Sequence, residues 1–153
     1  MRIERQSYWR DASGRIFSEE KILKLLSTET HGIFVLDGRS GCGKTRIINK
    51  LKQSQSVWIF SYEEIVKMII QFCKRDISQS VSERMAVALD VNGSIAIEDI
   101  DFLYGRSSTL ETIMETLQTL SRNHLCIITG NNLDTLTPEI YMIRDMHYFT
   151  VCW

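Results

Sequence analysis

The residues best suited to chemistry lie in one short glycine-rich segment, GRSGCGKT, from Gly38 to Thr45. Gly38, Gly43, Lys44 and Thr45 fit the pattern G-x-x-x-x-G-K-[ST], in which a loop between a strand and a helix cradles phosphate groups. Glycines let backbone N–H groups face the β- and γ-phosphates, and the next helix presents its positive end. The lysine adds charge near the transferred phosphate, and the threonine hydroxyl can ligate Mg²⁺.

The segment is therefore predicted to bind a nucleotide. Its members are Gly38, Arg39, Ser40, Gly41, Cys42, Gly43, Lys44 and Thr45. The alternative is a chance glycine-rich turn, but the segment lies between an apolar run, GIFVLD, and a helical pattern, KTRIINKLKQ, as phosphate binding requires. Cys42 is either a small filler or a thiol whose pKa is lowered by the helix N-terminus and Lys44, and so open to oxidation.

A group of acidic residues forms a second candidate site. Glu98, Asp99 and Asp101 follow the apolar stretch SIAI, at the strand edge where ligands bind in open α/β sheets. An enzyme with a phosphate-binding loop needs a carboxylate on a neighbouring strand for Mg²⁺, and a group that activates or orients water. The alternative is a solvated acidic turn.

A polar segment, IITGNN, supplies a third group. Thr129, Asn131 and Asn132 lie at the end of another predicted strand and should therefore be at the same edge of the sheet. A polar side chain there can hydrogen-bond an attacking water or the γ-phosphate. Taken alone, the segment indicates only a turn.

The hydrophobic pattern predicts a framework that brings these groups together. Short apolar runs typical of buried strands alternate with amphipathic helical patterns. The predicted strands are GIFVLD, SVWIF, SIAIED, LCIITG and HYFTVCW, and the predicted helices are FSEEKILKLLS (with Ser18 as N-cap), KTRIINKLKQ, SYEEIVKMIIQFCKR, VSERMAVALD, STLETIMETLQTLSRN and TPEIYMIRD. This alternation predicts an α/β fold of three layers, with a parallel sheet of about five strands covered by helices on both faces.

Length and composition set further limits. A chain of 153 residues fits one domain, spanning residues 1–153, and its 44% hydrophobic and 24% charged content is typical of globular proteins. The net charge of −1 provides no global field for nucleic acid or membranes. The four cysteines form no C-x-x-C pair, and no apolar run approaches a membrane span, so we expect a cytoplasmic protein.

Four segments, taken in order, resemble the AAA+ core of the bacterial replication initiator DnaA and its relatives. They are GIFVLDGRSGCGKTRIINKL, VWIFSYEEIVKMIIQF, SIAIEDIDFL and CIITGNN, and the resemblance covers about residues 15–153. It implies that the glycine-rich segment binds the triphosphate, with Thr45 and Glu98 holding Mg²⁺. It further implies that Asp99 is the catalytic acid and that Asn131 senses the γ-phosphate.

The resemblance also concerns the end of the chain. The stretch IRDMHYFTV is similar to a segment whose arginine reaches the ATP of a neighbouring subunit, and that arginine is Arg144 here. The alternative is a surface arginine at a helix end. No helical lid is expected after the last strand. The stretch 65–89 corresponds to helices that contact single-stranded DNA, but its few basic residues predict at most a weak contact.

One departure from the DnaA family bears on catalysis. The family usually has Asp first in the acidic pair, whereas Glu98 precedes Asp99 here. The longer side chain moves the metal ligand, so we expect weak or absent hydrolysis. The predicted function is a switch that binds ATP or ADP with Mg²⁺ and controls association with itself or with replication proteins.

Two alternatives belong to other classes of function. A small P-loop kinase would need an arginine-rich lid, but SQSVSERMAVALDVN holds only Arg84. A non-hydrolysing interaction module would instead keep ADP as a structural ligand.

Overall fold

A mixed β-sheet forms the centre of the fold. The computed structural model describes residues 8–39, 41–73, 81–90, 92–103, 107–131 and 146–152. Within these residues there are seven strands: β1 (Tyr8–Asp11), β2 (Ile16–Ser18), β3 (Gly32–Asp37), β4 (Val57–Ser61), β5 (Ser94–Glu98), β6 (Leu125–Gly130) and β7 (Met146–Cys152). Their order across the sheet is β2-β1-β7-β3-β6-β5-β4.

The parallel part of the sheet confirms the predicted α/β class. The five strands predicted from the sequence are β3 to β7, and they pair in parallel in the order β7-β3-β6-β5-β4. The central strands β3 and β6 are buried almost throughout, which explains why their sequences are continuous apolar runs rather than alternating ones.

An N-terminal hairpin extends this sheet beyond the prediction. Strands β1 and β2 pair antiparallel, and β1 pairs antiparallel with β7, so the sheet has seven strands and is not parallel throughout. Asp11 organises the turn, because its Oδ1 accepts hydrogen bonds from the backbone N of Ser13 at 3.0 Å and of Arg15 at 2.9 Å. Trp9 anchors the hairpin as a fully buried side chain.

Helices cover both faces of the sheet. They are α1 (Glu19–Thr28), α2 (Lys44–Ser54), α3 (Tyr62–Cys73), α4 (Val81–Ala88) and α5 (Ser107–Leu120), with a short 3-10 helix at Ile100–Leu103. Ser18 Oγ accepts from Lys21 N at 3.2 Å, which confirms the predicted N-cap of α1. Ser61 Oγ similarly accepts from Glu64 N at 3.2 Å at the start of α3. The predicted helix TPEIYMIRD lies outside the described residues.

Each face of the sheet has its own apolar core. Helices α1 and α2 pack on one face, contributing Ile22, Leu26, Ile47, Ile48 and Leu51. Helices α3, α4 and α5 pack on the other, contributing Ile65, Ile69, Met85, Ala86, Leu110, Ile113, Met114 and Leu117. No helix within the described ranges is both long and apolar enough to cross a membrane.

The hairpin makes a testable contribution to stability. Trp9→Ala is expected to lower the free energy of unfolding by about 3–5 kcal/mol, because it removes a large side chain with 0% exposure from the core. Urea denaturation measures the change. Trp58→Ala is the matched control, since Trp58 is 49% exposed, and it should cost far less. Equal losses for the two variants would show that the hairpin does not pack on the sheet.

Candidate phosphate-binding site

The three candidate groups meet in one cleft at the carboxyl edge of the parallel strands. The cleft has a volume of about 520 Å³. Its described lining residues are Gly41, Gly43, Lys44, Thr45, Arg46, Asp99, Thr129 and Asn131. The glycine-rich segment, the acidic turn and the end of β6 therefore all reach the same space, although they are far apart in sequence.

The glycine-rich segment connects β3 to α2, as predicted. Gly41 and Gly43 have φ angles of +83° and +112°, a conformation that side chains other than glycine rarely adopt. Gly38 is required by packing, because a Cβ there would lie 2.6 Å from Val151 Cγ1 and 2.7 Å from Cys42 Sγ. Gly43 caps α2, whose first-turn amide groups follow directly, and no acidic residue lies in that turn. The loop therefore has the conformation and polarity that suit an anion.

Lys44 joins the loop to the end of β6. The residue is only 7% exposed, and its ammonium group donates to three oxygens. The acceptors are Gly38 O, Gly130 O at 2.9 Å and Asn131 Oδ1 at 2.7 Å. A buried ammonium group has three N–H donors, and this set of oxygens matches them.

Strand alternation places Glu98 on the face of the sheet that α2 covers. Ile95 and Ile97 of β5 belong to the core beneath α3, α4 and α5, whereas Ala96 belongs to the core with α2. Because side chains alternate along a strand, Glu98 projects from the same face as Ala96. The described residues that line the cleft include Asp99 but not Glu98.

The surroundings of Glu98 raise the pKa of its carboxyl group. Burial raises the pKa of Glu98 above its ordinary value of 4.5, and the negative charge of Asp99 raises this pKa further. The ionised form is therefore disfavoured in the folded protein. A cation bound beside this pair would offset both effects.

Asp99 and Asp101 are held by hydrogen bonds to the end of β6. Asp99 has a φ of +61°, and its backbone N donates to Thr129 Oγ1 at 3.3 Å. Asp101, in the 3-10 helix, accepts at Oδ1 from the backbone N of Asn131 at 3.0 Å. The acidic turn is thus not a loose solvated segment but is fixed to the neighbouring strand.

The thiol of Cys42 does not have the lowered pKa considered from the sequence. Cys42 is buried, and burial raises the pKa of its thiol more than the nearby charge of Lys44 lowers it. This favours the small-filler alternative over an oxidation site. The sequence shows the charge beside the thiol but not that the side chain packs under the loop.

Two pairs of contacts near the loop were not predicted. Arg46 lines the cleft and forms a two-point ion pair with Glu19 of α1, with Nε–Oε1 at 2.8 Å and Nη2–Oε2 at 2.9 Å. Asp37, the buried last residue of β3, accepts a hydrogen bond from the hydroxyl of Tyr148 in β7. Both pairs join residues that are distant in sequence, so no local pattern points to them.

Not all of the predicted site residues belong to the cleft. Ser40, Asn132 and Arg144 lie outside the described residues. Arg39 is exposed, and its carbonyl oxygen accepts from Cys42 N at 3.2 Å within the loop. Among the described residues, no cluster of three or more His, Cys, Asp or Glu side chains is arranged to hold a metal ion. A site for Mg²⁺ would therefore rely on one or two carboxylates and on phosphate oxygens, as is common for this ion.

The parallel sheet with helices on both faces, and the glycine-rich loop between β3 and α2, form an α/β fold of the AAA+ type. The family model for the ATPase family associated with various cellular activities (AAA) matches residues 34–150. The chain therefore belongs to the AAA family. A comparison with curated proteins finds no match.

Solved structures of replication initiators have a similar fold. Domain III of Thermotoga maritima DnaA matches with a TM-score of 0.60 and 16% identity over 81% of this chain and 57% of that one. A DnaA bound to AMPPCP and single-stranded DNA matches with a TM-score of 0.60 and 14% identity over 88% and 44%. Aeropyrum pernix ORC1 in complex with DNA matches with a TM-score of 0.50 and 19% identity over 80% and 41%. The chain thus spans about half the length of these proteins or less.

Glu98 gives a test of the electrostatics of this site. Glu98→Gln is expected to raise the midpoint of thermal unfolding at pH 7 in the absence of nucleotide, because the neutral amide avoids the cost of a buried charge beside Asp99. A raised pKa means that the folded protein binds the proton more tightly than the unfolded chain does. The contribution of Glu98 to stability is therefore present below about pH 4.5 and is lost as the pH rises through the pKa of Glu98 in the folded protein.

The difference between Glu98→Gln and the wild type should accordingly vanish below pH 4.5, where the carboxyl group is protonated in both states. Glu115→Gln, at an exposed position of α5, is the control and should change little. A Glu98→Gln variant that is less stable than the wild type at pH 7 would contradict this electrostatic account.

Proposed function

We propose that the chain binds ATP or ADP in this cleft together with Mg²⁺ and acts as a nucleotide-dependent switch with slow hydrolysis. The observation that carries the proposal is the meeting of Lys44, Thr45, Asp99 and Asn131 around one space at the start of α2. The lining of that space includes the ammonium-bearing Lys44 and the carboxylate-bearing Asp99. A bound nucleotide needs both, one for its phosphates and one for its metal ion.

The phosphate side of the cleft is supported by the loop itself. The missing Cβ atoms at Gly41 and Gly43 leave the backbone open to close approach, and the N-terminus of α2 favours negative charge. Lys44 is already desolvated, so its attraction to a phosphate oxygen is screened less than that of an exposed lysine. Thr45 lines the cleft as an exposed residue, and its hydroxyl group is the chemical group that can ligate Mg²⁺.

The metal side is supported by the acidic pair. Thr45 and Glu98 would hold Mg²⁺, which would supply polarisation of the phosphates, with Asp99 beside it. Glu98 is not among the described residues that line the cleft, so its side chain would have to turn toward Thr45. The raised pKa of Glu98 supports this role, because the pair of carboxylates is poorly compensated by the protein alone. Asp99 would act on the attacking water, and Asn131 would sense the γ-phosphate.

Slow hydrolysis follows from how the acidic pair is arranged. Glu98 projects from the end of β5 with one more methylene than the aspartate usual at that position. Transition-state stabilisation depends strongly on the placement of charge, so a shifted metal ligand is costly for rate. Arg144 would complete the site only from a neighbouring subunit, which makes association part of the proposed switch.

Replication proteins are the proposed partners, and the cytoplasm is the proposed location. The structures with a similar fold include a DnaA bound to single-stranded DNA and an ORC1 bound to DNA. On α3 and α4, the described basic side chains are few. Lys67 is exposed, whereas Arg84 lies over the ring of Phe72 at 5.8 Å with its Nε and Nη1 atoms buried. Any contact with single-stranded DNA through these helices would therefore be weak.

The position of Arg84 also weighs against the kinase alternative. A kinase lid must carry its arginine to the transferred phosphate. Arg84 instead belongs to α4, which packs on α3 and α5, and its guanidinium carbon lies 5.8 Å from the centre of the Phe72 ring.

Lys44→Ala tests nucleotide binding. Affinity for both ATP and ADP with Mg²⁺ should fall by about 100-fold, because the variant loses charge-assisted hydrogen bonds to phosphate in a desolvated site. Fluorescent-nucleotide titration gives the affinities, and circular dichroism establishes that the variant is folded. Lys52→Ala, in the exposed last turn of the same helix, is the matched control and should bind as the wild type does.

An unchanged affinity in folded Lys44→Ala would contradict the proposed site. Steady-state phosphate release by the wild type, with and without single-stranded DNA, then separates a slow ATPase from an ADP-holding module. Size-exclusion chromatography in ATP and in ADP tests whether the nucleotide controls association.

A further inference from the structure

Two reciprocal hydrogen bonds join the acidic turn to the end of β6. Thr129, which is 2% exposed, accepts at Oγ1 from the backbone N of Asp99 at 3.3 Å. Asp101 accepts at Oδ1 from the backbone N of Asn131 at 3.0 Å. The register explains the meeting, because β5 and β6 pair in parallel with Ile97 opposite Ile128, and the residues beyond them continue side by side. Each segment thus fixes the backbone of the other.

The second of these bonds continues to the phosphate-binding loop. Asn131 is held at its backbone by Asp101, and its side-chain Oδ1 accepts from Lys44 Nζ at 2.7 Å. Lys44 in turn donates to the carbonyl oxygens of Gly38 and Gly130. A connected series of hydrogen bonds therefore runs from the Asp101 carboxylate through Asn131 to the ammonium group of Lys44.

A carboxylate near a phosphate site needs an explanation, since its charge repels the ligand. Asp101 is partly buried, and it is not among the described residues that line the cleft, in contrast to Asp99. Asp101 thus faces the Asn131 backbone rather than the space for a ligand. Because its carboxylate is bonded to the Asn131 backbone, Asp101 suits a residue that acts through Asn131.

We propose that Asp101 is a positioning residue that enables the site to distinguish a nucleoside triphosphate from a diphosphate. The inference rests on the proposed nucleotide site. The three N–H groups of Lys44 are matched by three oxygens, so a terminal phosphate must displace one of them. The Asn131 side chain is the partner that can turn away, while its backbone stays held by Asp101.

The released Asn131 amide then lies beside the terminal phosphate and can donate to it. A diphosphate has no oxygen at that position and gains nothing from the placement of Asn131. Loss of the Asp101 bond should therefore weaken triphosphate binding selectively, because Asn131 must be ordered at the moment of binding.

Asp101→Ala is the first variant, measured by calorimetry with AMPPCP and with ADP, each with Mg²⁺. Affinity for AMPPCP should fall by about tenfold, and affinity for ADP should change by less than about twofold. Asp101→Asn keeps an oxygen acceptor at the same distance, so it should keep the wild-type ratio of the two affinities. In an Asn131→Ala variant, the further change Asp101→Ala should leave the ratio of the AMPPCP and ADP affinities unchanged, because the side chain through which Asp101 acts is already absent.

Two further variants distinguish the positioning of Asn131 by Asp101 from an effect of losing a negative charge or of destabilising the fold. Asp90→Ala removes an aspartate outside the cleft, whose Oδ1 lies 2.8 Å from His124 Nε2. This variant should leave the ratio of the AMPPCP and ADP affinities unchanged. If Asp101→Ala does not fold, Asp101→Glu keeps the charge but displaces the acceptor by one methylene, and it should lower the ratio in the same way.

Equal losses for AMPPCP and ADP would overturn the inference, as would equal behaviour of Asp101→Ala and Asp101→Asn. Both results would assign Asp101 to stability, to charge or to the metal. If the wild type binds neither nucleotide, the proposed function itself fails. If the wild type binds both, Lys44→Ala binds neither, and Asp101→Ala keeps the ratio, only the role of Asp101 is wrong.

Discussion

The buried ammonium group of Lys44 sets the strictest requirement in the site. A positive charge at 7% exposure is stable only when oxygens replace its hydration, and the loop, the end of β6 and Asn131 each supply one. These acceptors come from segments that are 6 to 87 residues from Lys44 in sequence. The lysine therefore holds together the loop, the end of β6 and Asn131, and the proposed switch would depend on a phosphate competing for one of these hydrogen bonds.

The sheet supplies the rigidity that this arrangement needs. Strand β7 lies beside β3, and its Val151 packs so closely on Gly38 that no Cβ fits at this position without a shift of the side chain. The hairpin continues the sheet on the far side of β7, where Trp9 pairs with Val151. Strands β1 and β7 thus support Gly38, the first glycine of the loop, while Gly43, the last glycine, is held as the N-cap of α2. A site built on these strands and on a helix start is well positioned to hold its side chains in place.

Much of this organisation could be predicted from local sequence, and the exceptions have physical causes. The five parallel strands are apolar runs, and the loop has a fixed spacing, so both are visible in the chain itself. The hairpin is not, because β1 and β2 are short, partly charged and buried mainly through Trp9. Cys42 was open to two interpretations, and burial decided between them. The bonds from Asp101 and Thr129 depend on the register of β5 against β6, which connects residues 30 apart.

Hydrogen exchange of the wild type with and without ATP and Mg²⁺ tests the central claim most directly. We expect slower exchange with nucleotide at the amides of the cleft-lining residues in 41–46 and at Asn131, because the nucleotide covers them. The amides of residues 92–94, in a second cleft lined also by Ser56 and His124, should be unaffected. Unchanged exchange around the loop at saturating nucleotide, or protection only near residues 92–94, would contradict the account.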